Sequence, residues 1–118
     1  MELSADAGAR SVDSQQTEMM LSRQLTIAGQ SYQLFIVPID AGTTWRFELQ
    51  NAAIGGLIPG GFKLRLLTED LQSFPGNEDV ARAAVEKLFV EVALESGEGI
   101  VWEVEPLSDN YDREILRF

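Results

Sequence analysis

In three stretches of the sequence apolar residues recur at every second position, and this period of two limits the fold more than any other feature. In "TTWRFELQ", residues 43–50, the side chains of Trp45, Phe47 and Leu49 share one face. The same alternation runs through "LFVEVALE", residues 88–95, and "IVWEVE", residues 100–105. Successive side chains of a strand point to opposite sides, so these stretches predict strands with one buried and one solvated face.

Other stretches add strands to this pattern. "RQLTIAGQSYQLFIV", residues 23–37, predicts a hairpin closed around Ala28-Gly29-Gln30-Ser31. "FKLRLL", residues 62–67, predicts a strand after a type II turn with Pro59 and Gly60 at its centre. "SGEG", residues 96–99, predicts that residues 88–105 form a second hairpin.

Short strands separated by turns rich in Gly and Pro predict an all-β fold, an antiparallel, immunoglobulin-like sandwich. The alternative is an α+β fold, in which residues 78–87 form a helix with Asn77 as N-cap on an antiparallel sheet. At 118 residues the chain suits one domain, which we assign to residues 21–118. Residues 1–20 contain no aromatic residue and are predicted to be a tail, with a short helix capped by Ser11 or Asp13 as an option.

The composition excludes several kinds of chemistry. The chain has no Cys and no His, which removes disulfides, thiolate nucleophiles, cysteine-based metal sites and the commonest general base. The net charge is −10, and residues 69–118 carry thirteen acids against four bases. Such a surface repels nucleic acid and anionic lipid, so neither is expected as a partner. No secretory or transit signal is recognised, and a cytoplasmic location is expected.

The glycine-rich stretch "IGGLIPGGFKLRLL", residues 54–67, resembles a phosphate-binding loop only superficially. Gly60 is followed by Gly61 where a P-loop requires Lys, and a strand follows where a dinucleotide-binding motif requires a helix. The stretch is therefore predicted to be a connection between strands. Its apolar residues Ile54, Leu57 and Ile58 either cap an open end of the core or form a contact patch on the surface.

The remaining candidate sites are acidic. Glu91, Glu95, Glu103 and Glu105 lie on the outward face of the predicted hairpin, where strand pairing at a sheet edge would bind a partner. Asp79, Asp109 and Asp112 lie in loops that could gather around calcium, although the EF-hand spacing is absent. Trp45 and Trp102 occupy core-facing positions, so we expect them to pack in the core rather than stack on a ligand.

Residues 24–118 resemble a family of uncharacterised cyanobacterial proteins. The resemblance rests on "IPGGFKLRLLTEDLQSF", "VEKLFVEVALESGEGIVWEVEP" and "DNYDREILRF". It implies an antiparallel β-sandwich and carries over no catalytic residue. Larger relatives tend to occur beside signalling proteins, so the resemblance implies a signalling protein as the partner.

The sequence therefore predicts a non-enzymatic protein-interaction module without a cofactor, which uses the acidic hairpin together with Ile54, Leu57 and Ile58. The alternatives are a calcium- or carbohydrate-binding sandwich and a hydrolase that works with carboxylates alone. The sequence does not indicate the oligomeric state.

Overall fold

A computed structural model describes residues 20–40 and 43–118, and these residues form eight β-strands. The strands are β1 Leu21–Ile27, β2 Gln30–Ile39, β3 Thr44–Asn51, β4 Lys63–Thr68, β5 Glu78–Val80, β6 Lys87–Ala93, β7 Gly99–Glu105 and β8 Ile115–Arg117. The predicted tail, except for Met20, and the optional helix from Ser11 or Asp13 lie outside the described residues. Within these ranges there is no helix that could cross a membrane.

The strands form two antiparallel sheets of four strands each. Sheet A has the order β1-β2-β3-β6 and sheet B the order β5-β4-β7-β8. The inward side chains of both sheets form one hydrophobic cluster, which includes Leu34 and Phe47 of sheet A and Leu64 and Val104 of sheet B. The predicted all-β sandwich is therefore confirmed. Its strand order differs from that of an immunoglobulin constant domain, where the first, second, fifth and fourth strands share a sheet.

The alternating stretches bury the faces that the sequence predicts. Phe47 and Leu49 of β3 are fully buried, and Trp45 packs at the rim of the core against Phe118, with ring centroids 4.6 Å apart. Trp102 of β7 is 4% exposed. The predicted core positions of both tryptophans are confirmed.

The first predicted hairpin is also confirmed, with a shorter turn than expected. Ile27 pairs with Gln30, so only Ala28 and Gly29 form the connection. Both have positive φ angles, 52° and 78°, as a type I′ turn requires. This turn twists in the same sense as the strands, which is why two residues suffice.

The predicted hairpin over residues 88–105 is wrong. β6 pairs with β3 in sheet A, whereas β7 pairs with β4 and β8 in sheet B. The connection arches from one sheet to the other: Leu94 N still donates to Thr43 O, while Gly97 N donates to Phe118 O. Alternation specifies which face of a strand is buried but not which strand lies beside it, and both strands bury their apolar faces in the same core.

The alternative helix at residues 78–87 is absent. Glu78–Val80 pairs with β4 as strand β5, and the main chain of Ala81 exchanges hydrogen bonds with Phe62 and Gly61. Val85 forms an isolated bridge with Ile58. These pairings with distant residues satisfy the main-chain groups that a helix would have bonded locally, so tertiary contacts override the local helical pattern.

The turn before β4 lies one residue later than predicted. Phe62 N donates to Pro59 O at 3.3 Å, which places Gly60 and Gly61 at the two central positions. Gly61 has a φ angle of 95°, the conformation that the third residue of a type II turn needs. Pro59 therefore begins the turn instead of occupying its second position.

Candidate functional site

The loop between β3 and β4 exposes apolar side chains without any charged residue between positions 52 and 62. Ile54 is fully exposed and Leu57 is 45% exposed, whereas Ile58 is completely buried. The structure therefore separates the three predicted contact residues. Ile58 belongs to the core, and its prediction as a contact residue is wrong. Ile54 and Leu57 lie on the surface, in a segment that we call the apolar loop, residues 52–57.

Asn51, the last residue of β3, holds the apolar loop in one conformation. Its Oδ1 accepts a hydrogen bond from Ala53 N at 2.9 Å, and its Nδ2 donates to Leu57 O at 3.0 Å. A Cβ atom at Gly56 would collide with the Asn51 side chain, so a larger residue there would displace Asn51 from these hydrogen bonds. Ile54 is thus displayed at the tip of a loop that is already fixed, and binding there would cost little loop entropy.

The apolar loop lies next to a second exposed segment between β5 and β6. The Ile58–Val85 bridge joins the two segments. Gly60 also lies close to the backbone of Ala83: a Cβ atom added to Gly60 would lie 3.3 Å from Ala83 Cα. Ala83 and Ala84 are both exposed. We call the combined exposed residues the apolar end of the sandwich: Ala52, Ala53, Ile54, Leu57, Ala83 and Ala84.

A groove of about 450 Å³ lies beside the apolar loop. Gln33 and Gln50 of sheet A line the groove together with the loop, and Glu86 lines it as well. Amide side chains can donate and accept hydrogen bonds, so the groove can hold polar groups of a segment whose apolar side chains contact Ile54 and Leu57.

The four predicted surface glutamates do not form one acidic row. Glu91 belongs to sheet A, where its carboxylate accepts a hydrogen bond from Arg46 Nε at 2.9 Å. Glu103 and Glu105 belong to sheet B, and their carboxylates lie 3.4 and 3.6 Å from Arg65 Nη1. Glu95 lies in the connection between the sheets. Because the hairpin does not exist, the predicted acidic surface is divided, and local bases neutralise most of it.

The predicted calcium ligands lie in different parts of the fold. Asp79 is on β5, and its Oδ2 accepts a hydrogen bond from Phe89 N at 3.1 Å. Asp109 and Asp112 lie between β7 and β8, where Asp109 N donates to Thr26 O at 2.8 Å. Over residues 20–40 and 43–118, no three acidic side chains form a group that could hold a metal ion.

A polar cluster joins β1 to the connection between β7 and β8, a contact that the sequence did not predict. Arg23 of β1 donates from Nε and Nη2 to the two carboxylate oxygens of Glu114 at 2.7 and 3.0 Å. Trp102 Nε1 donates to Glu114 Oε2 at 2.9 Å, and the hydroxyl of Tyr111 donates to Trp102 O at 3.0 Å. Both carboxylate oxygens are thereby occupied. The cluster ties the β7–β8 connection to β1 beside a cleft of about 230 Å³.

The electrostatics of this cluster follow from its hydrogen bonds. The Arg23 guanidinium lowers the pKa of Glu114, burial acts in the opposite direction, and the Trp102 indole N–H lowers the pKa further. The same pair raises the pKa of Arg23, chiefly through its hydrogen bond to Glu114. Glu114 therefore stays ionised in the folded protein at a pH where an unfolded chain would already be protonated.

We expect Glu114→Gln to lower the free energy of unfolding at pH 7 by about 1 kcal/mol, because it removes a partly buried charged hydrogen-bond acceptor. The folded-state pKa of Glu114 is depressed, so its contribution is complete above its unfolded pKa and is lost as the pH falls through its folded pKa. Urea unfolding at pH 7 and pH 3 should show the difference between wild type and variant shrinking at the lower pH. An equal difference at both pH values would contradict the assignment.

The model of a family described as "Protein of unknown function (DUF1822)" matches residues 1–117. The chain belongs to this family. No curated protein and no solved structure matches the chain.

Membership of DUF1822 confirms the predicted resemblance to an uncharacterised family. The match covers residues 1–20 as well as both sheets of the DUF1822 chain. It therefore begins earlier than the resemblance, which rested on residues 24–118. Its description assigns no activity, so the function has to be argued from the surface of the DUF1822 fold.

Proposed function

We propose that the protein is a non-enzymatic interaction module that binds another protein through the apolar end of the sandwich. The observation that supports this is the full exposure of Ile54 on a loop that Asn51 holds in place. A large aliphatic side chain that is kept out of the core gains free energy when a partner covers it, by roughly 25 cal/mol per Å² of apolar surface buried. Because the loop is already ordered, little of that gain is lost to entropy.

The chemistry of the surface indicates what the partner presents. The central residues are aliphatic or small, and Arg82 and Glu86 flank the Ala83–Ala84 segment with one charge of each sign. This arrangement of an apolar centre and a charged rim is typical of protein-binding patches. We expect a partner with an apolar recess for Ile54 and Leu57 and with polar groups that face Gln33 and Gln50 across the groove.

The acidic residues have a different role in this proposal. Glu91, Glu103 and Glu105 are each held by Arg or Lys side chains, so they are less available to bind a partner than an isolated carboxylate would be. The net charge of −10 still favours encounter with a basic protein over nucleic acid or an anionic membrane. We further propose that the module acts in the cytoplasm and that its partner is a signalling protein. The absence of His and Cys from the sequence supports a function without catalysis.

The test compares three immobilised proteins in the same native lysate: wild type, the double variant Ile54→Ser with Leu57→Ser, and Leu107→Ser. Leu107 is 61% exposed and lies in the connection after β7, outside the apolar end, so it serves as the matched control. We expect one protein to be retained in stoichiometric amount by wild type and by Leu107→Ser. The double variant should retain at least about tenfold less, as loss of two central apolar contacts implies.

All three proteins should give the same circular dichroism spectrum, so that the comparison reports binding and not folding. A partner that the double variant retains as well as wild type does would contradict the proposal. So would a wild-type eluate without a stoichiometric partner.

A further inference from the structure

The strand β2 is apolar on both of its faces. Residues 34–39 read "LFIVPI", without a polar side chain. Leu34 and Ile36 are fully buried in the core between the sheets, so Phe35 and Val37 point to the outer face of sheet A. A continuous apolar run of this kind is typical of a strand that is covered on both sides.

The neighbouring strands are polar at the same level of the outer face. Phe35 pairs with Ser22 of β1 and with Glu48 of β3. Val37 pairs with Arg46 of β3. These side chains lie beside the apolar residues of β2 in the same sheet, so they border Phe35 and Val37 and do not form a layer above them.

A groove of about 290 Å³ lies on this outer face. Phe35 and Val37 line it together with Glu48, Gln50 and Met20. Met20 directly precedes β1 and is 60% exposed. The chain therefore enters sheet A at the wall of the groove, and residues 1–19 are attached there.

Two observations favour these attached residues over a separate molecule as the cover of the groove. A segment tethered beside a surface has an effective concentration there of about 1 mM or more, which a free partner rarely reaches. The DUF1822 match also includes residues 1–20 together with both sheets, so the segment belongs to the same family unit as the face beside it.

The sequence next to Met20 suits this position. In the helix that the sequence allows after Ser11, Val12 and Met19 are seven positions apart and share one face. Residues 11–19 in such a helix would be about 13 Å long. Neighbouring strands are about 4.8 Å apart, so this length is enough to cross from β1 over β2 to β3.

We propose that residues 11–19 pack across the groove and form a layer on the outer face of sheet A. The apolar side chains of this segment, Val12 and Met19, contact those of Phe35 and Val37. The segment thereby closes the groove to other proteins.

The apolar end remains open in this arrangement. Gln50 lines both this groove and the groove beside the apolar loop, so the two lie next to each other on sheet A. Ile54 and Leu57 line the groove beside the apolar loop, whereas Phe35 and Val37 line the one that residues 11–19 cover. Because the contact residues differ, either proposal can fail without the other.

The absence of Cys from the chain allows a direct test, because one introduced Cys is the only site for a nitroxide spin label. We choose Ser14→Cys, since in a helix position 14 lies opposite Val12. Paramagnetic broadening of the ¹⁵N-amide signals of Phe35 and Val37 should be at least about fivefold stronger than that of Arg65 and Glu103 on sheet B, because the two sheets are about 10 Å apart.

Variants within the segment test the contact without changing the sandwich. In the labelled protein, Val12→Ser together with Met19→Ser should reduce the broadening at Phe35 at least about threefold, because the segment loses the apolar surface that it buries. Leu3→Ser is the matched control, an aliphatic residue outside residues 11–19, and should leave the broadening unchanged. The Ile54→Ser, Leu57→Ser double variant should also leave it unchanged.

The proposal fails if the label broadens both sheets equally or neither of them. It also fails if the Val12→Ser, Met19→Ser variant broadens Phe35 and Val37 as strongly as the unsubstituted segment does. A third experiment mixes spin-labelled protein without ¹⁵N and ¹⁵N-labelled protein without the spin label. Broadening of Phe35 and Val37 in this mixture, as strong as within one chain, would assign the groove to a second copy and overturn the proposal.

Discussion

Phe47→Ala is expected to lower the free energy of unfolding by about 3–5 kcal/mol, the largest effect of any single change considered for this protein. Phe47 is fully buried at the centre of sheet A, between Ile36 of β2 and Val90 of β6 in the ladder. Its ring also meets that of Phe118 at 6.2 Å between centroids. Removing the ring deletes buried apolar surface and leaves a cavity that the surrounding strands cannot close without breaking their pairing.

Phe89→Ala is the matched control, because it is the same substitution in the adjacent strand of the same sheet. Phe89 pairs with Glu48 on the outward face and is 42% exposed, so its loss should cost less than about 1 kcal/mol. Urea unfolding followed by tryptophan fluorescence measures both variants. Equal losses for the two variants would contradict the assignment of the buried face.

Asn77→Ala is expected to lower the free energy of unfolding by about 1–3 kcal/mol, because it leaves a buried carbonyl without a donor. Asn77 Nδ2 donates to Leu66 O at 2.8 Å, and Leu66 N donates to Asn77 O at the same distance. The main-chain N–H and C=O groups of Leu66 point away from β7. Leu66 itself is completely buried. Neither β7 nor water can replace the lost hydrogen bond.

Asn110→Ala is the control for this second prediction. Asn110 also bonds to the main chain of another strand, at Gln24 and Thr26, but it does so in an exposed position. Water can replace those bonds, so the cost should stay below about 1 kcal/mol. Thermal unfolding of both variants would measure the difference. A larger loss for Asn110→Ala would mean that the hydrogen bonds of Asn110 to β1 contribute more to stability than the bond of Asn77 to the Leu66 carbonyl.

The prediction for Asn77 was right about the kind of contact that its side chain makes and wrong about the partner. Asn is a common helix N-cap, and two acids follow it, so the local pattern resembled the start of a helix. In the fold its side chain does satisfy a main-chain group, but that group belongs to Leu66 of a neighbouring strand. Local sequence indicates that a side chain is suited to capping; it does not indicate which chain segment will be near.

The candidate sites also include features that the sequence could indicate and features that it could not. Exposure of Ile54 and Leu57 was one of two outcomes that the uncharged loop allowed, and burial of Ile58 followed from its bridge to Val85. The Arg23–Glu114 pair was not predicted, because its members lie 91 positions apart and neither belongs to a local motif.

The sequence by itself determined six of the eight strands, β1 to β4, β6 and β7, and their buried faces, because the direction of a side chain along a strand depends only on its position in an alternating series. It also determined the lack of His and Cys chemistry and the excess of negative charge. The tertiary structure alone decided that β6 and β7 belong to different sheets and that local bases neutralise most of the predicted acidic row. Each of these depends on contacts between residues distant in the chain, and an alternating strand buries its apolar face equally well beside several neighbours.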